Sequence, residues 1–266
     1  MDNAVTNSDG SVDAKKRGSR FISKLLPPAV KLWLRSQVES VEQLQVDLSG
    51  RDRQIITGYL PGVSVSAQRV TYQGIQISDV QLSAKDIRIN VGQVVRGKPL
   101  RLLQAFPVLG TVLLSREDLD ASLGSPLLAE GLNGFWRSLV SRPDVADAVC
   151  DRYGKLPLAS DMMLARPTVQ IGVHRLALSF YPATAAETAR SPIVLSSVLS
   201  VVDGRFLKLT DPRWLDGVEQ ISQPAAGIPI ESLEGYQWDL GKDTQLSQLT
   251  IQPSQLLCEG ETTVLP

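Results

Sequence analysis

Residues 74–90, GIQISDVQLSAKDIRIN, alternate apolar and polar positions as a strand does, yet they change phase twice. Ile75 and Ile77 share one parity, Val80 and Leu82 take the other, and Ile87, Ile89 and Val91 return to the first. Such a slip has two readings. It marks a bulge or bend that carries one strand onward with added twist, or it marks a hairpin turn, here at Ser78-Asp79 and Lys85-Asp86. Under the first reading, repeated slips in long antiparallel strands curl a sheet round whatever its inner face covers. TVQIGVHRLALSF (168–180) shows the same pattern, with Val169, Ile171 and Val173 on one parity, Leu176, Leu178 and Phe180 on the other, and the slip at His174-Arg175.

Period two governs much of the rest. Leu44, Val46 and Leu48 alternate with Gln45 and Asp47, and Val63, Val65 and Ala67 alternate with serines. Further strands are predicted at 193–202, 205–209, 236–240 and 246–251, with loops at 182–192 and 211–230. Two segments read as helix. FISKLLPPAVKLWLRSQVES (21–40) places Val30, Trp33, Leu34 and Val38 at helical spacing, with Pro27 and Pro28 suited to a first turn, where a missing N–H costs little. REDLDASLGSPLLAEGLNGFWRSLVS (116–141) follows Ser115 with Asp118 three residues on, a variant capping box, and Gly124, Pro126 and Gly131 predict a break or bend.

These periods predict an α+β fold in one domain over residues 20–266. Residues 1–19, polar and nearly without apolar groups, are expected to be a disordered tail. With 43% hydrophobic residues in 266, the chain can bury a substantial core. The near-zero net charge hides a polarity: residues 1–101 carry 15 Lys and Arg against 9 Asp and Glu, and the remainder 12 against 19. A positive end attracts anionic lipid or other anions even on a neutral chain. The polar start without an apolar core argues against a signal peptide. The apolar run at 102–115 is too short to span a bilayer and contains Pro107 and Gly110.

Candidate chemistry is sparse. The sole histidine, His174, lies within a strand pattern, with no Gly-x-Ser-x-Gly elbow or Ser-x-x-Lys pair elsewhere. Glu117 and Asp118 stand at a helix start, where they favour the dipole. Cys150 and Cys258 are far apart without Cys-x-x-Cys spacing, so no zinc site is expected. RGKPLR (96–101) lacks the first glycine and the Ser/Thr of a phosphate loop, but its Arg96, Lys98 and Arg101 form a basic patch suited to an anionic head group. Aromatic residues, at 5%, are too few for a nucleic-acid surface. On a helix through residues 20–35, Arg20, Lys24, Lys31 and Arg35 gather on one face, opposite Ile22, Leu26, Ala29 and Trp33. That suits either a helix lying on an anionic bilayer or one packing its apolar face inside the sheet.

LPPAVKLWLRSQVESVEQLQVDLSG, GYLPGVSVSAQRVTYQGIQISDVQLSAKDIRINVGQVVRGKPLRLL, LLSREDLDASLGSPLL and LGKDTQLSQLTIQPSQLLCEGE together resemble the LmeA-like phospholipid-binding family of bacteria, most closely its cyanobacterial branch. The resemblance implies a long curved antiparallel sheet wrapped round one or two helices, akin to tubular lipid-binding domains, with an elongated apolar cavity. It implies a phospholipid or anionic glycolipid as ligand, and neither catalytic residue nor cofactor. The expected lack of a signal peptide departs from the mycobacterial type protein and implies a cytoplasmic or membrane-peripheral place, at the cytosolic face of a thylakoid or plasma membrane.

Two functions are carried forward. One is a non-enzymatic lipid binder that holds acyl chains against Val80, Leu82, Ile87, Ile89, Leu176, Leu178 and Phe180, residues chosen by strand parity. Its head-group or membrane contacts would be Lys31, Trp33, Arg35, Arg96, Lys98 and Arg101. The other is a structural or assembly protein whose core is filled by its own side chains and which docks on a membrane or protein partner. Neither requires a metal, a cofactor or a nucleic acid.

Overall fold

The computed structural model describes residues 26–153, 164–182, 191–223, 225–241 and 245–266. The expected tail, Arg20, Ile22 and Lys24, and nearly all of the 182–192 loop lie outside them. Helix α1 is described over residues 26–35, with Pro27 and Pro28 in its first turn. Two antiparallel sheets follow. The first is assembled from β1 (Ser40–Ser49), β2 (Tyr59–Tyr72), β3 (Ile75–Arg88), β4 (Phe106–Ser115), β11 (Gln245–Gln252) and β12 (Gln255–Val264), in the order β1-β2-β3-β4-β12-β11. The second contains β5 (Leu164–Ile171), β6 (Leu176–Pro182), β7 (Ile193–Val202), β8 (Phe206–Leu215) and the short β10 (Gln237–Asp239), in the order β10-β8-β7-β6-β5, with β9 (Ile228–Pro229) also paired to β8. Short helices α2 (Asp52–Ile56) and α3 (Val91–Val94) cap the ends of the first sheet's strands; α4 (Arg116–Ser122), α5 (Pro126–Val140) and α6 (Pro143–Tyr153) join the two halves.

The mixed architecture with a strongly curled antiparallel sheet agrees with the expected α+β, tubular lipid-binding-like class. The phase slips explain part of the curl. β3 runs unbroken through both, so neither is a hairpin turn. Neither is a bulge: Leu60 faces Ile87 and Val70 faces Ile77 in one constant register. Instead, a single residue turns left-handed on one strand of each row. Arg69 (φ 49) lies opposite both Glu42 and Ser78, and Asp86 (φ 57) lies opposite Pro61. At these rows adjacent strands change phase together. The apolar set on β2 passes from Val63, Val65 and Ala67 to Val70, that on β1 from Val41 to Leu44, and that on β3 from Leu82 and Ala84 to Ile87. Two successive residues on the polar side, at one level of neighbouring strands, put a local bend into the sheet there.

The slip at His174-Arg175 is different. β5 ends at Ile171 and β6 begins at Leu176, so it is a hairpin turn, with Gly172 N–H donating to the Arg175 carbonyl (2.9 Å). Bulges do occur elsewhere, between β7 and β8 at Ser196/Val198, β5 and β6 at Ala165/Thr168, and β11 and β12 at Leu246/Gln248.

Each sheet has its own core. Leu26 and Val30 of α1 pack with Val46, Val63, Ile87, Ile89 and Phe106, and Trp33 and Leu34 complete that face at i, i+4, i+7 and i+8. The second sheet packs Phe180, Leu195, Leu209 and Trp214 against Trp136, Leu139 and Val145 of α5 and α6. The predicted 116–141 helix is divided at residues 123–125, as Gly124 and Pro126 suggest. Ser115 and Asp118 close a reciprocal capping box, and Ser125 caps α5 with Pro126 at its first position, whereas Gly131 leaves α5 intact. The halves meet at α4, where Ser122 accepts from Gln76 N–H of β3 (2.8 Å) and Asp120 from Val169 N–H of β5 (3.3 Å). They meet again where Leu246 N–H of β11 donates to the Gly204 carbonyl at the β7-β8 turn (2.7 Å).

Candidate functional site

The seven residues expected to face acyl chains fall into two groups. Val80, Leu82, Ile87 and Ile89 belong to the first sheet; Ile87 and Ile89 are buried beneath α1, and Val80 and Leu82 are half-buried. Leu82 leans over Gly110 in the neighbouring strand, where an added Cβ would come within 3.0 Å of its Cδ2. Leu176, Leu178 and Phe180 lie on β6 in the other sheet, with Phe180 fully buried and its ring 4.6 Å from that of Trp136. They do not form one surface.

The basic residues gather more closely in sequence. Between β3 and β4, residues 90–103, which include α3, form a loop that Asn90 closes. Its Nδ2 donates to the Pro99 carbonyl (3.0 Å) and its Oδ1 accepts from Arg101 N–H (2.7 Å). Arg96, Lys98 and Arg101 project from this loop into solvent beside two exposed apolar side chains, Val95 and Leu103, the latter 60% exposed. At its base the Arg88 guanidinium lies 4.8 Å from the centre of the Tyr59 ring, and the Tyr59 hydroxyl donates to Asp86. That hydrogen bond, with a lesser contribution from desolvation, raises the phenol above its usual range. On α1, Lys31 is half-buried, Arg35 is exposed, and Trp33 packs against the core under the helix. The described turns of α1 therefore direct their apolar face into the sheet.

A third feature lies on the polar side of the first sheet. A hollow of about 560 Å³ extends from Asp47 on edge strand β1 to Ser247 on edge strand β11. A hollow lined from both edges requires the polar face to be concave across the strands. Its floor follows the ladder: Ser64 pairs with Ser83, while Ser66, Gln81, Thr111 and Glu259 form one continuous row through β2, β3, β4 and β12. Short side chains leave it open. At Gly260 the backbone of β11 approaches too closely for a side chain, since a Cβ there would meet the Gln245 carbonyl oxygen at 2.5 Å.

In the sequence, Ser64 and Ser66 stand out only as the residues that alternate with Val63, Val65 and Ala67. The signal was the choice of short hydroxyl residues where exposed strand faces commonly carry long charged ones. Glu259 could not be placed, because β12 was not foreseen. His174 sits exposed at the hairpin tip in a left-handed conformation (φ 59). Asp118 is engaged by its capping box and by the Ser78 hydroxyl. Among the described residues, no cluster of three His, Cys, Asp or Glu side chains converges as a metal site.

The curled sheet and its apolar packing point to a class of lipid-binding α+β domains. The model of the LmeA-like phospholipid-binding family matches residues 17–261, and the chain belongs to that family, one of binding proteins and not of enzymes. No curated protein and no solved structure matches it. Among the described residues, no helix is long and apolar enough to cross a membrane.

Proposed function

We propose that this protein is a non-enzymatic phospholipid carrier or sensor that works at a membrane surface. The observation that carries the reading is the family match over nearly the whole chain, 17–261, joined to a strongly curled sheet whose apolar face packs on α1. An acyl chain would lie along the half-buried Val80 and Leu82, where the sheet continues beyond the fully packed Ile87 and Ile89. Arg96, Lys98 and Arg101 would hold the anionic head group, with Val95 and Leu103 entering the interface beside them. Burial of each CH2 contributes about 0.8 kcal/mol, so ten methylenes outweigh three surface cations at about 1 kcal/mol each. Apolar enclosure sets affinity in this reading, and charge sets orientation.

One observation favours a second reading, a structural or assembly protein with a self-filled core. Ile87, Ile89 and Phe180 are 5%, 3% and 0% exposed, already covered by the protein's own side chains. Mass spectrometry of organic extracts of the purified protein separates the two. Stoichiometric phospholipid supports the first, and its absence after purification without detergent supports the second.

A further inference from the structure

We propose that the hollow on the polar face of the first sheet is a second ligand site, for an elongated, uncharged polyhydroxyl group such as a short neutral oligosaccharide. At about 560 Å³ it falls within the range of small-molecule sites. Its chemistry narrows the occupant. The hydroxyls of Ser64, Ser66, Ser83 and Thr111 make no hydrogen bond among the described residues, so each keeps donor and acceptor capacity facing the space. Alcohol groups present the same pairing of donor and acceptor, and the Gln81 amide and two carboxylates add acceptors for ligand hydroxyls.

Charge excludes the obvious alternatives. The lining includes Asp47 and Glu259 and neither lysine nor arginine, so a phosphate, sulfate or carboxylate would meet repulsion without a cationic donor. This surface is therefore opposite in preference to the basic loop at 96–101. A small cation is no better suited. Asp47 on β1 and Glu259 on β12 are four strands apart in the sheet order, roughly 19 Å along the curved surface at about 4.8 Å per strand. They cannot grip one ammonium together; neutral hydroxyl and amide groups and the exposed Leu109 fill the interval. Two adjacent rows, Asp47-Ser64-Ser83-Leu109 and Ser66-Gln81-Thr111-Glu259, match a chain of sugar units lying across the strands.

The sugar could be free or carried on a lipid, and both present the same hydroxyls. The test uses the full-length, ¹⁵N-labelled protein with maltose, cellobiose and lactose as free neutral probes. Dodecyl maltoside micelles present the same disaccharide on an apolar tail; sodium phosphate and choline chloride are the charged controls. The expected result is saturable amide shifts confined to residues 64–66, 81–83, 110–111 and 259, produced by at least one disaccharide and by neither charged control. Saturation by micelles at lower sugar concentration than by the free disaccharide assigns the lipid-borne source, and equal saturation assigns the free one. Ser66→Ala removes a hydroxyl, and Thr111→Val replaces one by methyl at a strand position that favours valine. Each should weaken the response at least tenfold while the circular dichroism spectrum and melting temperature stay unchanged. Silence to all three disaccharides and to the micelles overturns the proposal, as does a choline response, or a sugar response that survives both substitutions. Phospholipid retained by either variant is read separately by mass spectrometry, so failure here is distinct from failure of the lipid-binding reading.

Discussion

Arg69 of β2 reaches Glu42 of β1 at 2.6 Å, on the row where the two strands change phase together. The pair is well exposed, with side chains 70% and 57% accessible, so its direct contribution is about 0–1 kcal/mol. The left-handed backbone at Arg69 matters more, at roughly 1–2 kcal/mol for an L residue. In urea unfolding, Glu42→Gln should therefore shift stability by no more than about 0.5 kcal/mol and Arg69→Gly should stay within about 1 kcal/mol of the parent. Arg69→Val, β-branched at positive φ, should lose about 1–2 kcal/mol or more. Equal stability of the Val and Gly variants would show that the bend does not depend on this conformation.

The junction at α4 rests on one carboxylate. Asp118 accepts from Ser115 N–H (2.8 Å) and from the Ser78 hydroxyl, and its own N–H donates to Ser115 Oγ (3.1 Å). Ser115→Ala should cost about 1 kcal/mol, the usual loss for a cap. Asp118→Ala should cost more, because two donors lose their acceptor at once. Thermal melts of the two variants check the order.

Core and surface leucines should part widely. Leu139 of α5 is fully buried between the helices and the second sheet, and Leu139→Ala should cost about 2–5 kcal/mol. Leu32 on α1 is 73% exposed, and Leu32→Ala should stay within about 0.5 kcal/mol. If Leu32→Ala melts as low as Leu139→Ala, the outer face of α1 is covered in solution.

Alkaline stability carries a sign set by Cys258. Desolvation pushes this thiol up to about 11, so the folded state resists losing a proton that the unfolded chain releases near pH 8.5. The contribution is complete below about pH 8.5 and lost as pH rises through 11. It amounts to roughly 3 kcal/mol. Denaturant midpoints for the parent and Cys258→Ala, measured from pH 8 to 11, should converge as pH rises; parallel curves would refute the assignment.

Electrostatic docking predicts a composition dependence. Replacing Arg96, Lys98 and Arg101 by serine should weaken flotation with phosphatidylglycerol vesicles by about 100-fold, from about 1 kcal/mol per cation. The same substitutions should leave binding to phosphatidylcholine vesicles unchanged, and raised salt should mimic them. Equal losses on both vesicle types would move the docking face elsewhere.

Much of the fold was legible where packing follows a simple period. β7 emerged with the bounds the sequence predicted, Ile193–Val202, because one run of β-branched and aliphatic residues is buried there on both faces. β8 was cut short at 209, since the bulge around Asp211 (φ 47) and Pro212 interrupts its alternation. β12 was missed because Glu259, Gly260 and Glu261 dilute its apolar signal; its identity depends on pairing with β4. α6 was missed as well, its buried Val145 and Val149 spaced one turn apart within a polar segment. The basic loop was legible as charge, whereas the hollow was not, because concavity arises from strands distant in sequence. Parity orders side chains along one strand but could not reveal that β3 and β6 belong to different sheets.

β4 pairs with β3 along one edge, but its other edge is filled only by β12, about 140 residues later in the chain. On a ribosome adding about 5–20 residues per second, β4 waits roughly 7–30 s with one edge bare. Its run of Phe106, Val108, Val112 and Leu114 is then a template for a neighbouring nascent chain. Production of this protein should consequently be governed by chaperone supply and growth temperature more than by the stability of the finished molecule.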